Sequence, residues 1–145
     1  MNKINPFIIL LFLGVVASTS CKKKDKVNNC DLTEANFVGS YKIESVTYKM
    51  SPSSPDVDGT SLIFDPCELD DVTTFNTNHT YTYADAGTQC NPPADDNGTW
   101  SLSGSTFTFD GVQQDFDTFD CTGFSISDTA YDVSGDKITV KFKKQ

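Results

Sequence analysis

Much of the chain alternates between apolar and small polar positions. In 'GTWSLS', Trp100 and Leu102 fall on one side and Thr99 and Ser101 on the other. 'STFTFD' does the same with Phe107 and Phe109, 'GFSIS' with Phe124 and Ile126, and 'KITVKF' with Ile138, Val140 and Phe142. A period of two with Thr and Ser opposite the apolar face predicts strands with one wet face. 'VTTF' and 'TYTY' flank 'NTNH', which therefore reads as a hairpin turn. Asn and His tolerate positive φ better than most residues. In 'YKIESVTYKM' the parity slips between Tyr41, Ile43 and Val46, Tyr48, so a bulge is expected in a long first strand. 'SPSSPDVDG' reads as a loop, and 'TSLIF' as a short strand after it. 'DLTEANFVG' offers Asp31 as N-cap with Glu34 three residues on, predicting one short N-terminal helical turn closed by Gly39. Turn signals ('DDNG', 'LSGS', 'FDG', 'CTG', 'VSGD') recur at roughly 8–12-residue spacing. The expected fold is all-β, with about eight antiparallel strands in an up-and-down barrel or a sandwich.

The first residues follow another grammar. Lys3 precedes an apolar run at 7–16, and small residues fill 17–20 before Cys21. This is the layout of a secretory signal. Ten residues rise only ~15 Å as helix against a ~30 Å hydrocarbon core, too little for a permanent span. Ser18, Thr19, Ser20 and Cys21 resemble the lipobox of bacterial lipoproteins, with Ser18 where Leu is usual. The resemblance implies that Cys21 becomes the acylated first residue, carrying chains such as palmitate. Two or more chains anchor a protein firmly. The expected organisation is a signal at 1–20, a lipidated polar tether at 21–30 and a single domain at 31–145. The expected location is the bacterial cell envelope, lipid-anchored at the outer membrane.

Four cysteines remain, Cys30, Cys67, Cys90 and Cys121. An even number in an exported chain predicts two disulfides, and four cysteines allow three pairings. The 'NTNH' hairpin brings Cys67 and Cys90 to one end of the same strand pair, which favours a Cys67–Cys90 bond and leaves Cys30 for Cys121. A zinc site is disfavoured, because no C-x-x-C exists and His79 is the only histidine. No metal or cofactor is expected.

Arginine is absent, and no lysine lies between Ser51 and Asp136, a span holding sixteen Asp or Glu. Nucleic acid, which needs a basic surface, is excluded as a partner. The acids read as a solvated barrel exterior with acidic turns, with a cation-binding surface as the alternative. Asp115 and Asp117 could be drawn as a catalytic carboxylate pair on one strand face, but an acidic wet face accounts for them. No catalytic residue is assigned. Asn78-His79-Thr80 and Asn97-Gly98-Thr99 read as turn chemistry, and Asp128-Thr129-Ala130 resembles a short O-glycan acceptor motif of some bacterial exported proteins.

'FVGSYKIESV', 'CELDDVTTFNTNHTYTY', Cys90 and 'NGTWSLSGSTFTF' together resemble the lipocalin-like lipoprotein family of bacteria. Cys67, Asp70, Asp71, Phe75, Tyr81, Cys90, Gly98 and Trp100 fit its pattern. Tyr41 replaces a Trp, and His79 stands where Gly is frequent. The resemblance implies an antiparallel barrel and no particular activity. Two functions follow as expectations. The barrel holds a small apolar ligand, with Tyr41, Tyr81, Tyr83, Trp100, Phe107 and Phe109 as candidate lining residues. Alternatively, the aromatics fill the barrel, and the molecule is a packed structural lipoprotein whose loops meet an envelope protein.

Overall fold

The computed structural model describes residues 30–145. The signal, Cys21 and nearly all of the tether lie outside the described residues. The domain contains nine strands: β1 (Gly39–Lys49), β2 (Val57–Asp58), β3 (Val72–Phe75), β4 (Thr80–Ala84), β5 (Asp96–Ser103), β6 (Thr106–Phe109), β7 (Val112–Asp120), β8 (Gly123–Thr129) and β9 (Lys137–Lys144). Neighbours from β3 to β9 pair in sequence order, and β1 pairs with both β3 and β9. Eight strands thus close an antiparallel barrel, with β2 as a two-residue flap on the far half of β1. Closure removes the sandwich alternative. It also leaves no long unpaired edge, the usual liability of an antiparallel sheet.

Two bulges tune the wall. The β1–β9 register shifts between Ile43 and Ser45. The extra residue, Glu44, lets Tyr41 and Val46 both be buried although five positions separate them. Glu44 then meets Lys141 of β9 at 2.7 Å. The β7–β8 register shifts between Phe116 and Thr118, so Phe116 and Phe119 both reach the core three positions apart. This second bulge explains why β7 shows no clean alternation in the sequence.

Three expectations fail locally. The N-terminal helical turn exists as α1 (Glu34–Phe37), but its cap is Thr33, not Asp31. The Thr33 hydroxyl accepts the Asn36 amide at 3.3 Å, while Asp31 offers its carbonyl to the Asn36 side chain. Gly39 does not close the turn either. Val38 does, and Gly39 opens β1 with φ 146°, where a Cβ would sit 2.6 Å from the Lys144 side chain. The stretch 'TSLIF' is not a strand. Residues Thr60–Ile63 form α2, a single helical turn. Gly59 N–H donates to the Val46 carbonyl, and the Thr60 hydroxyl accepts from Val46 N–H. This ends the ladder with β1 at Thr60, and Leu62, 72 % exposed, has no sheet face to cover.

One end of the barrel is filled. Phe37, fully buried, enters from α1 into a layer formed by Tyr41, Phe75, Trp100, Phe107 and Phe124. The Tyr41 hydroxyl donates to the Phe37 carbonyl at 2.5 Å, and Lys144 Nζ donates to the Asn36 carbonyl at 2.6 Å. Cys30–Cys121 ties the segment before α1 to the β7–β8 turn, with Cα atoms 5.5 Å apart. Cys67–Cys90, with Cα atoms 5.3 Å apart, staples two loops at the opposite end.

Phe37→Ala is expected to lower unfolding free energy by roughly 3–5 kcal/mol, a large part of the ~5–15 kcal/mol typical of a domain. Leu62→Ala should change it by less than about 0.5 kcal/mol; urea midpoints of the two variants measure the contrast. In the chain-entropy picture, the bond spanning 91 residues stabilises more than the one spanning 23. Removing them by paired Ser substitutions should cost roughly 4–5 and 3–4 kcal/mol respectively, with the ranking read from the same unfolding curves.

Candidate functional site

Above the aromatic layer the barrel is hollow. Side chains alternate into it from β3 (Thr73, Phe75), β4 (Tyr81, Tyr83) and β6 (Phe107, Phe109), and Phe124, Ile126 and Phe142 face them from β8 and β9. Two cavities of about 410 and 380 Å³ share Thr73, Tyr81, Asp96, Phe109 and Phe142 as lining. The larger is walled mainly by Phe and Ile; the smaller reaches under the loop carrying Phe64, Glu68 and Asp71.

Tyrosines put polar tips into this apolar space, and each finds an acceptor, as a buried hydroxyl requires. The Tyr81 ring stacks on Phe109, centroids 4.2 Å apart. Its hydroxyl donates to Asp110 Oδ2 at 2.5 Å, and Asp96 Oδ2 stands 3.4 Å away. Asp110 occupies the β6–β7 turn with φ 47°, and its Oδ1 accepts the Thr99 amide at 2.9 Å. Gly98 makes this approach possible: a Cβ there would lie 2.1 Å from Asp110 Oδ1 and 2.6 Å from the Tyr81 ring. Tyr83 donates to Asp71 Oδ2, and Asp71, only 3 % exposed, also accepts the Ala86 amide at 2.9 Å. Asp70 Oδ2 accepts the Thr88 amide in the same stapled loop pair.

These contacts set the protonation states. Burial, then the hydrogen bond to Asp110, pushes the Tyr81 phenol well above its ordinary value, and burial with the bond to Asp71 does the same for Tyr83. Burial pushes Tyr41 up to about 12. The Tyr81 hydroxyl and the Thr99 amide hold Asp110 below the usual carboxylate range.

Of the lining residues expected from the sequence, Tyr81 and Phe109 line both cavities, Phe107 the larger, and Tyr41 and Tyr83 the smaller. Trp100 lines neither. It belongs to the packed layer, and its indole N–H donates to the Asn76 and Thr80 carbonyls. The sequence reading missed Asp71, Asp96 and Asp110, which Tyr81 and Tyr83 require as acceptors. The usable signal was that two inward tyrosines, two positions apart, must each find one.

His79 sits in the β3–β4 turn with φ 63°, its Nε2 3.1 Å from Glu34 Oε1. Asp115 and Asp117 turn to different neighbours. Asp115 accepts from Thr106 of β6, and Asp117 meets Ser127 of β8 and Lys137 of β9. Asp71, Asp85 and Cys90 bring donor atoms within 4.8 Å of one another. The Cys90 sulfur, however, is bonded to Cys67, and both carboxylates accept backbone amides, so the chemistry of the set does not suit a metal ion.

Eight-stranded barrels are either filled by side chains or hold one small ligand, and this one keeps an apolar hollow open at one end. A family model of the lipocalin-like domain matches residues 37–123, and the chain belongs to that family. Its members are typically binding proteins rather than enzymes. No curated protein and no solved structure matches the chain.

Tyr81→Phe should raise the Asp110 pKa by removing its strongest donor. A carboxylate held low in the folded state contributes stability above its unfolded pKa and loses it as pH falls through the folded value. The variant should therefore lose less stability than the parent between about pH 5 and pH 2; acid unfolding and a carbon-detected titration of Asp110 check this. Phenols held high behave oppositely. Tyr41, Tyr81 and Tyr83 should stay neutral past about pH 11 while the barrel is folded. In a Tyr48→Phe, Tyr131→Phe background, which leaves only these three phenols, absorbance near the phenolate band then rises only with alkaline unfolding.

Proposed function

We propose that this chain is an exported, lipid-anchored binding protein that holds a small apolar ligand in its barrel. The observation that carries this reading is the hollow of about 410 Å³ above the Phe37 layer, lined chiefly by aromatic and aliphatic side chains. It falls in the range of ordinary ligand sites, ~300–1,000 Å³, and above the volume expected of a filled barrel. The two disulfides fit an oxidising, exported environment. The signal grammar ending at Cys21 supports acylation there, and the acyl chains would link the protein to the envelope membrane.

A second reading, contact with an envelope protein, draws on Met50, Val57, Leu62, Tyr131 and Val133, which are exposed on the loops and short elements after β1 and β8. The two are separable with a neutral fluorophore such as N-phenylnaphthylamine. Saturable emission enhancement, reduced several-fold by Phe109→Asp, supports the carrier. No saturable binding would leave the packed, partner-contacting molecule. For the anchor, Cys21→Ser should release the protein from the membrane fraction and remove the acyl mass from the intact chain.

A further inference from the structure

The hollow is apolar in its walls but acidic at its open end. Asp96 and Asp110 line the larger cavity, and Glu68, Asp71 and Asp96 line the smaller. No lysine, arginine or histidine lines either one. The lysines among the described residues, Lys42, Lys49, Lys137, Lys141, Lys143 and Lys144, all belong to β1 or β9. Three of them are paired there, with Asp56, Asp117 and Glu44. The cavity carboxylates have no such partner among the ion pairs of the described residues.

Tyr81 stands between two carboxylates with one proton to give. It spends that proton on Asp110 at 2.5 Å, and Asp96 is left with a 3.4 Å contact and its neighbour's amide. A neutral ligand seated in the apolar part would leave these exposed carboxylates at its rim without a counter-charge. An anion would meet like charge from both carboxylates at the mouth of the hollow. A cation would offset the carboxylates, and the faces of Tyr81, Phe109 and Phe142 would attract it through their ring quadrupoles. We infer that the barrel takes an organic cation, a small apolar body bearing a protonated amine or similar group, with the charge held at Asp96 and Asp110 and the body on the Phe109 side of the hollow. The inference rests on the reading that the barrel binds a small ligand, and deepens it.

The test compares three probes that share one body: naphthylmethylammonium, naphthylmethanol and naphthoate. Each is titrated calorimetrically at neutral pH into the full chain carrying Cys21→Ser. The ammonium probe should bind about tenfold or more tighter than the alcohol, and the carboxylate weakest. Asp96→Asn combined with Asp110→Asn should abolish the preference, so that ammonium and alcohol bind this variant with the same affinity. Asp96→Asn alone, at an exposed position with no part in the core, should give a several-fold loss for the ammonium if the double variant does not fold. Equal binding of ammonium and alcohol overturns the cation and leaves the apolar carrier standing. Tightest binding by the carboxylate overturns it as well. Binding by none of the three overturns both readings.

Discussion

The architecture hangs on one ring. Phe37 lies 4.8–6.4 Å, centroid to centroid, from Tyr41, Phe75, Trp100, Phe107, Phe116, Phe119 and Phe124. Those seven rings come from six different strands. A barrel of eight strands encloses more space than its wall side chains fill unaided, and here a residue from outside the wall fills one end. The short helix α1 exists to deliver it, and the cap at Thr33 and the Tyr41 hydroxyl bond fix its angle of entry. Because the packing is complete at this end, the remaining volume is concentrated at the other.

The aspartates complete the picture at that open end. In composition they look like a solvated exterior, and several behave so. Others organise backbone. Asp136, 1 % exposed, accepts amides from Tyr131, Asp132 and Val133 and the Tyr48 hydroxyl, which ties the β8–β9 loop to β1. Burial works against its charge, but those donors prevail and hold its pKa low. Asp85 gathers the Cys90 and Ala94 amides in the same manner. Loops without regular structure thus satisfy their amides through carboxylates. Asp71 and Asp110 do the same for the Ala86 and Thr99 amides while also lining the cavities.

Strand and turn were legible wherever a single period governed a segment. Trp100 with Leu102, Phe107 with Phe109 and Phe124 with Ile126 could be placed inward from alternation alone, and the hairpin at 'NTNH' led to the Cys67–Cys90 bond. Legibility failed where tertiary contacts outweighed local pattern. 'TSLIF' has strand composition, but the hydroxyl of Thr60 and the amide of Gly59 use up the available edge of β1. Trp100 and Tyr81 look alike as inward aromatics. Only the position of Phe37 decides that one is packed and the other borders a void, and no periodicity reveals where a four-residue helix will insert its ring. The aspartate partners of Tyr81 and Tyr83 come from distant segments, Asp110 and Asp71, whose proximity only barrel closure creates.

The described chain enters the barrel beside the β7–β8 turn, where Cys30 is bonded to Cys121, and its last residue, Gln145, donates its amide to Ser40 at the start of β1. Both are at the plugged end. If the acyl anchor proposed at Cys21 holds the protein, its attachment would adjoin the sealed base and the opening would face away from it. Cys21 lies nine positions before Cys30, so such an anchor would be at most ~30 Å of chain away. On so short a leash the molecule would stand like a cup on a table, filled and emptied from the surrounding fluid rather than through the surface beneath it.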